Sequence, residues 1–242
     1  MFSLSSWKQV WEHKASEFKK PPRKQNKNID ENEIKKLLEL NGFDGAHSMM
    51  EIDEYLEYIN NITLFLIENN CIPKSILEIG CGTGLTLAML SKNLGIESER
   101  IEGIDYVEGL INIGRHFFPD IRFKAKALED IETKDVSNIE LVVANSVCQY
   151  IDTQILSEKI NMLIMNRVNI LLLDIPDLEK KDEHLKWKKK TNKNYKPTLH
   201  SYYAKEYFSK IVEKAKASAT IKSQFQSFGP QSRFRFNVLI KS

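Results

Sequence analysis

The peptide Ile76-Leu77-Glu78-Ile79-Gly80-Cys81-Gly82-Thr83-Gly84 constrains this chain more than any other stretch of it. A short apolar run, the length of a buried strand, carries one acid at Glu78 and passes straight into glycines at 80, 82 and 84. Glycine at such a strand end permits positive φ and lets a ligand approach bare backbone. A helix patterned over 86–92 presents its free N–H groups to the same point. A dinucleotide fingerprint would place its third glycine at Leu85, and a phosphate-binding Walker loop would need Lys-Ser/Thr where Leu85-Thr86 stand. The spacing therefore points to a glycine-lined ligand loop of neither kind.

Around this peptide the chain alternates. Apolar runs at 75–79, 100–104, 121–125, 139–144 and 168–173 read as buried strands, with helical patterns at 86–92, 109–117 and 154–165 between them. The connection after the third strand is short and weakly patterned. This rhythm predicts a doubly wound, mostly parallel sheet. Two last strands, near 219–225 and 234–241, flank the turn Ser227-Phe228-Gly229-Pro230-Gln231-Ser232 and predict an antiparallel C-terminal hairpin, seven strands in all. A helix over 204–217 precedes them.

Residues 1–70 read as an N-terminal helical segment on the acceptor side, and 71–242 as the core, with a polar insertion at 176–200. The first helix is expected over 3–20, with Trp7 and Trp11 one turn apart; Pro21 and Pro22 end it. Asp30 is a good N-cap for a second helix to Leu40, stopped by Asn41-Gly42, and a third covers 52–68.

Composition bounds the function classes. The 242 residues are 42% hydrophobic and 28% charged, enough for a sizeable core, and the net charge of +2 carries no strong nucleic-acid footprint. No run approaches the ~18 apolar residues of a membrane span. The start, MFSLSSWKQVWEHK, lacks the layout of a secretory signal, so the cytoplasm is the expected location. Cys71, Cys81 and Cys148 are too few and too scattered for a disulfide framework or a zinc site, so no metal is expected.

The pattern Glu78-x-Gly80-x-Gly82-x-Gly84 after the first strand resembles motif I of the class I S-adenosylmethionine-dependent methyltransferases. The resemblance implies a Rossmann-like fold, S-adenosylmethionine as cofactor and S-adenosylhomocysteine as product. It implies that Glu78, Gly80, Cys81, Gly82, Thr83 and Gly84 hold the methionine portion. Asp105, ending the second strand 21 residues past Gly84, would then take the ribose hydroxyls, and Tyr106 would lie against the adenine. Ala127, Leu128 and Glu129 follow the third strand where the family contacts adenine, although the family's acid at this place aligns with Ala127. Asn145 and Ser146, in the peptide Asn-Ser-Val-x-x-Tyr that ends at Tyr150, would lie under the methyl donor and face the acceptor. The Asn/Asp-Pro-Pro-Tyr/Phe peptide of nucleic-acid base methylases is absent here.

Three outer features are similar to methyltransferases of bacterial capsule and surface-polysaccharide gene clusters: Trp7-x-x-x-Trp11, Asn41-Gly42-Phe43-Asp44 and Arg233-Phe234-Arg235-Phe236-Asn237. They imply a small-molecule acceptor, phosphorylated or nucleotide-linked, methylated on oxygen. Alternatives are a small-molecule N-methyltransferase, an RNA methyltransferase, and a non-catalytic protein that binds S-adenosylmethionine.

Methylation of a hydroxyl also needs a base. His200 and His47 lie in segments able to reach the strand ends, with pKa values expected near working pH, and His200 is the first choice. Tyr150, Tyr202 and Tyr203 are expected to shape the acceptor pocket. Trp11 is read either as part of a lid over the cofactor or as ordinary packing. His116 is expected to be structural and His184 solvated. Eight lysines against three acids over 179–196 suit either a solvated surface or the steering of an anionic acceptor. Arg233 and Arg235 are expected on one face of the last strand, as exterior charges or as an anion clamp.

Overall fold

The computed structural model describes residues 4–18, 29–43, 50–192 and 200–242. The side chain of Trp7, together with Asp44 and His47, falls outside the described residues. Three helices lead in: α1 (Leu4–Ser16), α2 (Glu31–Leu40) and α3 (Ile52–Glu68). Asp30 closes the start of α2 as a capping box: its carboxylate accepts from Glu33 N, and the Glu33 carboxylate accepts from Asp30 N.

The core then alternates as β1 (Ile76–Ile79), α4 (Leu85–Leu94), β2 (Ile101–Asp105), α5 (Glu108–Phe117), β3 (Arg122–Ala125), α6 (Thr133–Val136), β4 (Leu141–Asn145), α7 (Thr153–Met165) and β5 (Asn169–Pro176). It closes with α8 (Lys181–Thr191), α9 (Lys205–Ala215), β6 (Ser218–Ser223) and β7 (Arg235–Lys241). The described strands form a seven-stranded sheet in the order β3-β2-β1-β4-β5-β7-β6. β1 to β5 pair in parallel, and β7 inserts antiparallel between β5 and β6. This is the predicted Rossmann-like sheet with its antiparallel hairpin.

β1 and β4 are buried at every position because neighbours cover both faces and both edges, so their sequences are apolar runs without alternation. Ile76, Leu141, Leu171 and Leu239 pack toward α2, α3, α4 and α5; Leu77, Val142, Leu172 and Val238 pack the other way, toward α7 and α9. The order reverses at β1, which lies between β2 and β4. A crevice therefore opens beyond the carboxyl ends of these strands, where this class of sheet takes its ligands.

The polar stretch after β5 departs from expectation. His184, expected in solvent, is 1% exposed: it stacks on Phe234 with centroids 4.8 Å apart, and its Nδ1 lies 2.9 Å from the Tyr202 hydroxyl. Lys188, one turn on, is also buried, so the lysine-rich helix has an inner face as well as a wet one. Arg233 and Arg235 do not share a strand face. β7 begins only at Arg235, which is buried, whereas Arg233 stays exposed and lies over Trp187 and Phe234.

Candidate active site

A cavity of about 380 Å³ occupies the crevice at the β1/β4 reversal. From the first strand and its loop come Glu78, Gly80, Cys81 and Gly82; from the end of β2 come Asp105 and Tyr106. Ala127, Leu128 and Glu129 follow from the β3 side, then Asn145, Ser146 and Tyr150 beyond β4, and Trp11 from α1. All of these were expected from sequence. Thr83 and Gly84 are not on the wall: they turn the loop into α4, with Gly84 in the N-cap position at φ +78.

The loop is tight because its glycines face packed neighbours. A Cβ on Gly80 would lie 2.5 Å from Val147 Cγ2, and one on Gly84 would lie 2.5 Å from the Phe123 ring. Asp105 helps to shape the loop as well as to line the cavity. Its Oδ2 accepts from Gly82 N at 2.9 Å and its Oδ1 from Val107 N at 2.8 Å. Burial raises the Asp105 carboxyl pKa, and these two backbone donors hold it back. Carboxylate oxygens retain further lone pairs, so Asp105 can still accept from a ligand.

Glu78 differs. It is 2% exposed, burial pushes its pKa well above the ordinary value, and neighbouring Asp105 adds to the rise. Its Oε2 has no hydrogen-bond partner among the described residues. A buried carboxylate oxygen on a cavity wall needs a donor, and a cationic amino group from a ligand suits it.

Several wall residues were not anticipated. Asn41, expected to stop α2 and to belong to an outer motif, places its Oδ1 3.0 Å from Thr83 N, so the end of α2 braces the glycine loop. Tyr58 donates to Asn145 Oδ1 at 2.9 Å from within α3, and Thr86, on the wall, accepts from the Tyr55 hydroxyl at 3.2 Å. Helical periodicity marked Tyr55 as buried but carried no sign of the partners.

On the acceptor side the structure revises three expectations. His200 does not line the cavity. It packs edge-on behind Tyr150, ring centroids 5.3 Å apart, and burial together with Lys188 and Arg235 drives its pKa down to about 3. The imidazole is therefore neutral near pH 7 and poorly matched to hydroxyl deprotonation. Tyr203 lies off the wall, donating to the carbonyls of Cys148 and Ile151, and Tyr202 turns to His184. Tyr150 does line the cavity, and burial raises its pKa.

Residues 76–164 match a protein-family model described as a methyltransferase domain. A stretch of 113 residues, 45% of this chain, is 34% identical to cyclosporin synthetase of Tolypocladium inflatum, and the match covers about 1% of that curated relative's length. Among solved structures, magnesium protoporphyrin IX methyltransferase of Synechocystis, crystallised with S-adenosylhomocysteine, superposes with a TM-score of 0.53 at 15% identity, covering 78% of this chain and 84% of its own. The plantazolicin methyltransferase, in complex with a plantazolicin analogue and S-adenosylhomocysteine, gives 0.55 at 15% identity over 78% and 84%. Geranyl diphosphate C-methyltransferase of Streptomyces coelicolor gives 0.54 at 11% over 76% and 78%. Residues 76–164 thus match a methyltransferase domain, and the chain around them has the Rossmann-like fold seen in these solved methyltransferases.

Proposed function

We propose that the chain transfers the methyl group of S-adenosylmethionine to a small-molecule acceptor, and that the acceptor atom is an oxygen on a sugar, sugar nucleotide or phosphate-bearing precursor of a surface polysaccharide. The observation that carries the cofactor assignment is the cavity itself: bare backbone at Gly80–Gly82 with two buried carboxylates, Glu78 and Asp105, on one wall. The solved relatives bound to S-adenosylhomocysteine support it. The small acceptors named for two of them, a plantazolicin analogue and geranyl diphosphate, support the acceptor class. The narrower polysaccharide assignment rests on the peptides around Trp11, Asn41 and Arg235.

When bound, S-adenosylmethionine supplies a methyl carbon already activated by a sulfonium sulfur. The protein's part is to align the partners and keep water out. Glu78 Oε2 takes the ammonium of the methionine portion, Asp105 takes ribose hydroxyls, and Tyr106 with Leu128 flanks the base. Ser146 and Tyr150 form the acceptor-side wall. Tyr150 stays protonated and orients the acceptor, while neutral His200 fixes its ring from behind. As the C–O bond forms and the C–S bond breaks, the proton of an acceptor hydroxyl leaves to water at the open mouth of the cavity, and an ionised phosphate oxygen has none to lose.

Calorimetry on the full chain tests the cofactor, with S-adenosylhomocysteine expected to saturate the cavity and NAD to leave it unbound. The reverse preference, or no binding of either, would overturn the assignment. Mass spectrometry of nucleotide-linked sugars incubated with S-adenosylmethionine then tests the acceptor. A gain of one methyl on oxygen is expected, and transfer confined to amine acceptors would overturn the oxygen assignment.

A further inference from the structure

Behind the acceptor-side wall lies a buried polar network that the proposed chemistry does not use. Arg235 opens β7 at 6% exposure and pairs with Asp174, at 3%, through Nη1–Oδ2 at 2.9 Å. The same Nη1 donates to the Asp174 carbonyl at 3.0 Å and to Gln149 Oε1 at 2.5 Å. Asp174 sits in the bulge where the β5/β7 register shifts between Leu172 and Ile175, at φ +59, and Asn237 Oδ1 accepts its N–H at 2.9 Å. A bulge of this kind re-aims a side chain, and here it turns the carboxylate toward the end of β4.

Both groups held by Arg235 close on one residue. Ser146 Oγ donates to Asp174 Oδ2 at 2.8 Å, and Gln149 Nε2 donates to the Ser146 carbonyl at 3.0 Å. Ser146 is a cavity-wall residue at φ +57, a left-handed conformation that serine adopts only when its surroundings impose it. The next residue, Val147, packs so closely on Gly80 that a Cβ there would lie 2.5 Å from it. A continuous line of contacts thus runs from Arg235 through Asp174 and Gln149 to Ser146, and from Val147 to the glycine loop. A buried ion pair contributes little net stability over apolar packing of the same volume, so the presence of this one calls for a geometric reason.

We propose that Arg235 is a positioning residue for the cofactor cavity: through Asp174 and Gln149 it holds Ser146 in the left-handed conformation that sets Val147 against Gly80. The inference rests on the S-adenosylmethionine assignment of the cavity.

The test is a binding cycle on the full chain, with S-adenosylhomocysteine affinity measured by calorimetry and global stability by urea unfolding. Arg235→Lys keeps the charge but ends short of the guanidinium Nη1, so its ammonium no longer reaches Asp174 and Gln149 together. Gln149→Met removes the second arm without leaving a buried charge unpaired, and so reads the same link even where Arg235→Lys folds poorly. Each is expected to weaken binding by about tenfold, the size of coupling within one hydrogen-bond network. Glycine adopts φ +57 without an anchor, so in a Ser146→Gly background Arg235→Lys is expected to cost less than about threefold more, relative to Ser146→Gly alone. Variants that lose stability yet bind as the native chain does would overturn the proposal and leave the cofactor assignment standing; so would losses that simply add in the double variant. A native chain that does not bind S-adenosylhomocysteine at all would overturn both.

Discussion

Gly84 shows how much a single position can carry. At φ +78 it disfavours any side chain, and a Cβ would also meet the Phe123 ring at 2.5 Å, so backbone strain and steric conflict act together. Gly84→Ala is expected to destabilise the fold by roughly 2–5 kcal/mol, the sum of a left-handed alanine and an overpacked contact. Urea unfolding checks this; a loss below about 1 kcal/mol would mean that α5 and β3 yield around the new methyl. Asp105 was legible in the sequence as a strand-end acid, because strand ends and acids are both visible there. Its bonds to Gly82 and Val107 were not, since they depend on how β2 stands beside β1. His200 shows the converse. Its residue type suggested a base, and burial against Tyr150 with two nearby cations removes that property.

Elements inherit their roles from what they are packed against. α1 reads in isolation as an amphipathic helix, and its docking gives that pattern a partner. Trp11 reaches the cavity wall and sits over Gly42, where a Cβ would lie 2.7 Å from ring atom Cη2. Further along, Ala15 packs on Gly109 at the start of α5. If α1 covers the cofactor, Trp11→Ala weakens S-adenosylhomocysteine binding by about tenfold, the scale of one buried aromatic contact. Unchanged affinity in calorimetry would reduce α1 to ordinary packing. α8 makes the same point from charge. Its run of lysines suggested a solvated surface, yet Phe234 and Tyr202 draw His184 inward, and Lys188 follows one turn later. Periodicity was a poor guide because α8 is polar at most positions and its buried face consists of a histidine and a lysine.

Across the whole molecule, buried ionisable groups outside the sheet are expected to contribute to the pH response. Folded His200, with its pKa near 3, binds a proton less readily than the unfolded imidazole at about 6.5. Its contribution to stability is complete above about pH 6.5 and is lost as pH falls toward 3. His200→Gln is therefore expected to show a flatter dependence of unfolding free energy over that window than the native chain. Parallel curves in urea titrations from neutral to acid would place the acid sensitivity elsewhere. Lys188 behaves in the same sense at higher pH. Its pKa is lowered to about 8 by burial and by Arg235, so its contribution is complete above about 10.5 and is lost as pH falls through 8.

The order of strands and helices, the glycine loop and the acids at 78 and 105 could be read along the chain, because buried runs, glycines and strand-end carboxylates are local patterns. The insertion of β7 between β5 and β6, the bracing of the loop by Asn41 and the Arg235–Asp174–Ser146 network could not. Each joins residues far apart in sequence, and their partners are set by sheet register and by a bulge. An arginine alternating with phenylalanines looks external in one dimension. It becomes internal only when the antiparallel strand carrying it is threaded beside a parallel one whose bulge offers a carboxylate.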